Sequence, residues 1–221
     1  MMPHVDSRDA DAEFRAYVGE AGFPCLAGKG VVNANGYECV AYGAMGTAAS
    51  TRQLARDLAS FVQGHDDDTR LRAFVAVFPD TICTSEEAFE QLLWAQLQRL
   101  SDADPDGVWD ESASDDPDDS RFSFSVSGSA MFVVGLHPGS SRLARRFRWP
   151  ALVFNPRAQF EHLKETGRFE RLRGAVRDRE IALQGTLNPN LADFGDRSEA
   201  RQYSGRATEQ EWKCPFHRGE R

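Results

Sequence analysis

The densest collection of reactive side chains lies between Gly135 and Pro150, where His137, Ser140, Ser141, Arg142, Arg145, Arg146 and Arg148 fall within one short stretch. An imidazole can present one ring nitrogen to a metal while the other donates to a carbonyl or carboxylate that fixes the ring. Arg142, Arg145 and Arg146 could clamp carboxylates or phosphates through paired donors. The competing reading of His137 is a structural imidazole at the end of a strand.

A second polar stretch, Arg201-Gln202-Tyr203-Ser204-Gly205-Arg206 followed by Trp212-Lys213-Cys214-Pro215-Phe216-His217, mixes varied polar groups with aromatic rings. That mixture suits a ligand-facing loop better than a solvated tail. Cys214-Pro215 is the kind of short element that can supply a thiolate to heme, and simple packing of Cys214 is the alternative. Cys25, in Phe23-Pro24-Cys25, reads either as a buried inert thiol or as a thiolate ligand or nucleophile. The neighbouring Gly28-Lys29-Gly30 is not a phosphate-binding loop, because Lys29 is followed by Gly30 rather than Ser or Thr. Cys214 and His217 lack the second ligand pair that a zinc site requires.

Regular elements must position these groups. Leu54, Leu58, Ala59, Phe61 and Val62 recur at helical spacing between Ser50 and Gly64. Phe74 to Phe78 reads as a buried strand running into Pro79-Asp80. Thr84 and Glu87 have capping-box spacing before a helix marked by Phe89, Leu92, Leu93, Leu97 and Leu100. Phe122, Phe124 and Val126 alternate with serines, which predicts a strand with one buried face. Gly128 and Ser129 predict a turn, and Met131 to Leu136 a hairpin partner that delivers His137 to a strand end. Ala151 to Phe154 reads as another strand. Asn155-Pro156 then reads as a cap and first turn of a helix ending near Gly167, with a further helix over Phe169 to Leu183. From Gln184 onward periodicity fades, so that segment is expected to wrap the core or build a site.

The whole is expected to be an α+β single domain: a small, mostly antiparallel sheet packed with several helices and a long irregular C-terminal segment. A flexible N-terminus is expected over residues 1–13, with the domain over 14–221. The chain has 221 residues and 41% hydrophobic content, enough for one sizeable core. No run approaches the roughly 18 apolar residues of a membrane helix, and no signal peptide opens the chain, so a cytoplasmic protein is expected. The formal net charge of -8 argues against a nucleic-acid partner. Cys25, Cys39, Cys83 and Cys214 are scattered and expected to be reduced. Nine acids between Asp102 and Asp119 have no Lys or Arg among them. They form a solvated connection within 101–120, unless Trp109 anchors it as a lid or docking surface.

Phe23-Pro24-Cys25, His137 to Arg142, Phe154-Asn155-Pro156 with Gln159-Phe160, Gln184-Gly185, Ala200 to Arg206 and Trp212 to Phe216, in this order, resemble the YqcI/YcgG family. The resemblance implies a heme-dependent N-hydroxylase, a monooxygenase acting on a guanidine or amine nitrogen of arginine or a related small molecule. It implies heme b, O2 and a separate electron-donating reductase, and leaves a homodimer open. On that basis His137 is the expected axial ligand, with Cys25 and Cys214 as alternatives. Ser140, Ser141, Arg142, Arg145, Arg146, Tyr203 and Arg206 are expected around the cofactor. Asp193, Glu199 and Arg201 are expected at the substrate, although Asp193 and Glu199 could instead cap turns or pair with Arg197. No catalytic acid or base is assigned. A non-catalytic heme-binding or redox-sensing protein is the competing function.

Overall fold

A computed structural model describes residues 5–64, 70–104, 107–190 and 197–219. Its frame is a five-stranded sheet in the order β1-β2-β5-β4-β3, formed by β1 (Tyr37–Ala41), β2 (Ala73–Val77), β3 (Phe124–Val126), β4 (Ser129–Leu136) and β5 (Ala151–Pro156). β1 and β2 pair in parallel, and the other three pairings are antiparallel. The architecture is therefore the expected α+β fold with a mostly antiparallel sheet, extended by the unforeseen strand β1. Helices cover both faces: α1 (Ser7–Gly19), α2 (Leu26–Asn33), α3 (Ala48–Gln63), α4 (Glu86–Ala103), α5 (Ala158–Glu165), α6 (Phe169–Gln184) and the single turn α7 (Ala200–Tyr203).

α3 and β2 form where hydrophobic spacing predicts them. α4 begins one residue later than the Thr84–Glu87 box implies, because the Ser85 hydroxyl takes the cap by accepting the Ala88 N–H at 3.1 Å. The expected flexible lead-in is largely helical: α1 starts at Ser7, is capped by Asp6, and buries Ala10 completely. Asn155-Pro156 does not open a helix. Pro156 is still paired with Met131, and the Asn155 amide donates to the Phe132 and Val153 carbonyls, so β5 continues and α5 follows Arg157.

One sheet face carries the larger core, with Phe74, Phe154, Met131 and Val133 against Leu54 and Leu58 of α3, Phe89 and Leu97 of α4, and Phe216 from the C-terminal segment. That segment wraps this face as expected. Buried Arg206 grips Glu90 of α4 through Nε at 3.0 Å and Nη2 at 2.8 Å, and Gln98 exchanges hydrogen bonds with the His217 backbone. β3 departs from the alternating expectation. Ser123 and Ser125 are as buried as Phe122 and Phe124, because the hydroxyl of Ser123 donates to a buried carboxylate, Glu199. The acidic connection is anchored, with the Trp109 ring tilted on Phe122 and Phe216 and Arg218 above it.

The hairpin closes through Ser127 (φ 51°) and Gly128 (φ 75°), the pair of positive φ values that a two-residue turn between twisted strands requires. Gly135 in β4 has a different reason to be glycine: a Cβ there would stand 2.6 Å from the Phe89 ring and 2.8 Å from Leu93. Gly135→Ala is therefore expected to lower the unfolding free energy by about 1–3 kcal/mol through overpacking. A urea titration of both proteins measures this, and an unchanged midpoint would refute the tight α4–β4 contact.

Candidate functional site

The opposite sheet face is covered less completely. Ala73, Val75, Val77, Val153 and Leu136 pack on α1, α2 and Phe147. Next to this contact lies a cavity of about 300 Å³ bordered by Phe14, Tyr17, Leu136, Arg145 and Cys25. A second cavity of about 270 Å³ lies among Phe160, Phe169, Leu172, Arg157 and Glu199. Cys25, Ala27, Phe132, Phe160, Val176 and Gln202 line both, so the two spaces share a wall.

Cys25 owes its position to local backbone rules. Pro24 keeps the preceding chain out of a helix, and Cys25 takes an extended conformation (φ -73°, ψ 100°) as the N-cap of α2. Its Sγ accepts the Gly28 N–H at 3.3 Å. A helix N-terminus favours negative charge on that sulfur. Burial pushes the Cys25 thiol pKa up, while the Gly28 and Ala27 amides and the Arg145 charge pull it down.

Arg145 sits on the short 3₁₀ turn Leu143–Arg145 after β4. Its Nη1 donates to the carbonyls of Tyr203 at 2.9 Å and Gly135 at 3.3 Å, and it makes no ion pair among the described residues. Burial pulls its pKa down to about 10, against the attraction of Tyr17 and Glu180. Arg142, which also borders the first cavity, is paired with Glu180 at 2.5 Å and donates to Thr186. That pair ties α6 to the turn, helped by Gln184, which bonds Leu143 and Ser141, and by Arg179, which donates to the Ala21 and Phe23 carbonyls.

Glu199 is the buried carboxylate of the second cavity. Its Oε1 accepts both the Tyr203 hydroxyl at 2.6 Å and the Ser123 hydroxyl at 2.7 Å. Its Oε2 has no hydrogen bond among the described residues. Burial raises the Glu199 pKa to about 7, although the two hydroxyls and the charges of Arg157 and Lys164 act in the opposite direction. Tyr203 itself is fully buried and accepts the Phe124 N–H at 3.0 Å, which fixes its hydroxyl.

The structure thus brings together Cys25, Arg142, Arg145 and Glu199 but separates other expected site residues. His137 does end β4, yet it borders neither cavity. Its ring stacks on Phe89 at 4.3 Å, burial lowers its pKa, and neither ring nitrogen has a hydrogen-bond partner among the described residues. Ser140 caps the Arg142 N–H, Ser141 bonds Glu86, and exposed Arg146 donates to the Ser140 carbonyl. Arg206 is committed to Glu90 and Glu209. Arg201 spends its guanidinium on the carbonyls of Glu209, Gln210 and Trp212. Cys214 packs in the larger core, where burial pushes its pKa up to about 12. Asp193 lies outside the described residues. Gln202, from the stretch expected to face a ligand, lines both cavities, whereas Tyr17 and α6 are walls that no motif marks, since apolar spacing over 169–183 gives no sign of which side the helix covers. Among the described residues no three His, Cys, Asp or Glu side chains gather as a metal cage, and no helix is long and apolar enough to cross a membrane.

The sequence profile of the YqcI/YcgG family matches residues 14–217. The uncharacterised protein YcgG of Bacillus subtilis (strain 168) is 29% identical over 204 residues, covering 88% of this chain and 80% of that protein. The uncharacterised protein YqcI of the same organism is 28% identical over 204 residues, with the same coverage. No solved structure matches.

Glu199 binds its proton more tightly in the folded chain than in the unfolded one, because burial raises its pKa from 4.5 to about 7. Its contribution to stability is complete below the lower value and is lost as pH rises through the higher one. Glu199→Gln keeps an oxygen for Ser123 and Tyr203 and removes the ionisation. The variant should therefore gain stability over the wild type on the order of 2 kcal/mol as pH is raised from about 5 to about 8. Parallel denaturant titrations across that interval measure the gain; curves that stay parallel would show that Glu199 is not the titrating group.

Proposed function

Because this chain belongs to the YqcI/YcgG family, matched over residues 14–217, we propose that it is a heme-dependent N-oxygenase acting on a guanidine or amine nitrogen of a small molecule related to arginine. The observation that carries this reading is the place of the Cys25 sulfur, on the shared wall of two largely apolar cavities with an α2 amide donating to it.

The residues around these cavities fit an iron porphyrin. Phe14, Phe132, Phe160 and Val176 offer the apolar walls that the ring requires, and the thiol is a soft donor suited to iron. Arg145 is a guanidinium in the same space with no ion pair among the described residues, which suits a propionate, and Arg142 stands beside it. Cys25 would hold the metal. A coordinating metal deprotonates a thiol outright, which reverses the upward shift that burial imposes on Cys25. His137 and Cys214, the other two ligand candidates, border neither cavity.

When bound, heme b would supply O2 activation and the insertion of one oxygen atom into an N–H bond, with two electrons from a separate reductase. The chain's own residues do the rest. The α2 amides and the Arg145 charge stabilise a thiolate at Cys25. Phe160, Phe169 and Leu172 give the second cavity its apolar walls. Glu199 offers Oε2, which has no hydrogen bond among the described residues, to a cationic nitrogen, and the pairing draws its carboxyl back toward the ionised form. Tyr203 and Ser123 hold Oε1 and so aim the other oxygen.

Addition of hemin to the purified protein should give a Soret band, and the ferrous carbonyl adduct should show the red shift that thiolate ligation produces. Cys25→Ala should lose that red shift, whereas His137→Ala should keep it. O2 uptake with an electron donor and L-arginine should then depend on bound heme. A protein that refuses hemin, or a Cys25→Ala variant with the wild-type spectrum, would overturn the assignment, and heme binding without O2 uptake would leave a non-catalytic heme protein.

A further inference from the structure

We propose that the end of the first cavity remote from Arg145 binds a neutral ligand carrying an N–H and a C=O side by side on an apolar body, a lactam or carboxamide, with Asn155 and Gln159 as its receptors. The inference does not rest on the heme reading, because the apolar edge of a porphyrin carries neither group.

Both side chains line the cavity of about 300 Å³, and the fold uses only part of each. Gln159, on the first turn of α5, is 4% exposed, and its Oε1 accepts the Arg72 backbone N–H at 2.8 Å. A backbone N–H can only donate, so the amide oxygen is held there and Nε2 is left over. Asn155, near the end of β5, is fixed in the opposite sense. Its Nδ2 donates to the Phe132 carbonyl at 3.1 Å and the Val153 carbonyl at 3.3 Å, so Oδ1 is left over. Neither Nε2 of Gln159 nor Oδ1 of Asn155 has a hydrogen bond among the described residues.

Buried amides ordinarily satisfy their hydrogen-bonding capacity, since a group left unmade is costly to the fold. Here a donor and an acceptor of fixed orientation remain on one cavity. The charged side chains that line it, Arg142, Arg145 and Glu180, belong to the other end. Nη1 of Arg145 bonds the Gly135 carbonyl, and Gly135 is paired with Leu152, three residues before Asn155 and roughly 10 Å from it along β5. Arg142 and Glu180 are spent on each other. Phe132 and Phe160, with rings edge to face at 6.2 Å, join Leu71 and Ala73 as the apolar surface on the amide side. An ionic head would lose its hydration there without meeting an opposite charge. A neutral edge satisfies both amides, with its carbonyl toward Gln159 and its N–H toward Asn155.

Calorimetric titration of the purified protein with 2-quinolinone, coumarin and naphthalene tests this, because the three share a fused bicyclic body and differ in its edge. 2-Quinolinone has the N–H and the C=O, coumarin has a ring oxygen in place of the N–H, and naphthalene has neither. 2-Quinolinone should bind, coumarin about tenfold more weakly and naphthalene more weakly again, each step the loss of one hydrogen bond to a buried group. Gln159→Glu keeps an oxygen for the Arg72 N–H and removes the donor, so it should weaken 2-quinolinone by about tenfold, with a melting curve to show that the variant is folded. The proposal is overturned if the three ligands bind equally, if 2-quinolinone does not bind, or if the folded variant keeps the wild-type affinity. Should the variant fail to fold, the ranking of the three ligands on the wild type decides alone.

Discussion

The molecule depends on an unequal treatment of the two faces of its sheet. On one face Phe74, Phe154, Met131 and Val133 interdigitate with Phe89, Leu93 and Leu97 closely enough that Gly135 has no room for a methyl group. On the other, the strands present mostly Ala and Val to α1 and α2, and a cavity of about 300 Å³ lies beside them among the described residues. Interiors pack to crystal-like density, so an apolar void forfeits dispersion contacts that a better-filled core would keep. The tightly packed face supplies the rigidity that lets the other remain open.

The charges inside that open face carry the same asymmetry. Arg145 faces the first cavity and Glu199 the second, and burial shifts each toward its neutral form. Isolated charges in a low-dielectric space are costly, and neither has an ion-pair partner among the described residues. An occupant with an anionic group near Arg145 and a cationic group near Glu199 would relieve both at once. The separation of the two sites also matters, since it keeps the two charges from neutralising each other. The stability that folding loses here is available as binding energy for a ligand of matching polarity.

Much of this fold was legible in the sequence where burial is one-sided. α3, β2, α4 and the β3–β4 hairpin follow from apolar spacing and turn residues, because each has one partner layer. β1 escaped notice because Tyr37-Glu38-Cys39-Val40-Ala41 is only partly buried and shows no clean alternation. Ser123 and Ser125 looked solvent-facing because a hydroxyl that donates to a buried carboxylate reads like any surface serine. Sequence separated the candidate ligands no further than a list. His137 and the arginines after it are dense in sequence, but a strand end projects successive side chains in different directions. Arg145 therefore meets the cavity while His137 stacks on the opposite side against Phe89. Cys25 and Glu199 lie far apart in the chain and meet only because α2, α6 and the turn before α7 close around the same space.

α6 shows how the open face and its contents complete each other. None of its residues is fully buried, although Leu172, Val176 and Glu180 line the cavities. A helix gains most of its stability in a protein by burying an apolar stripe, and part of the stripe of α6, at Phe169, Leu172 and Val176, borders the cavities. What holds the helix is polar and gathered at its C-terminal end: Arg179 on the Phe23 carbonyl, Glu180 on Arg142 and Gln184 on Leu143. Those contacts tie α6 to the segment carrying Cys25 and to the turn carrying Arg145. A molecule filling the cavities would add to the apolar contacts of α6, and a binder of the folded state alone stabilises it by mass action. α6 thus borders both cavities while burying none of its residues fully, in contrast to β2, which is buried throughout.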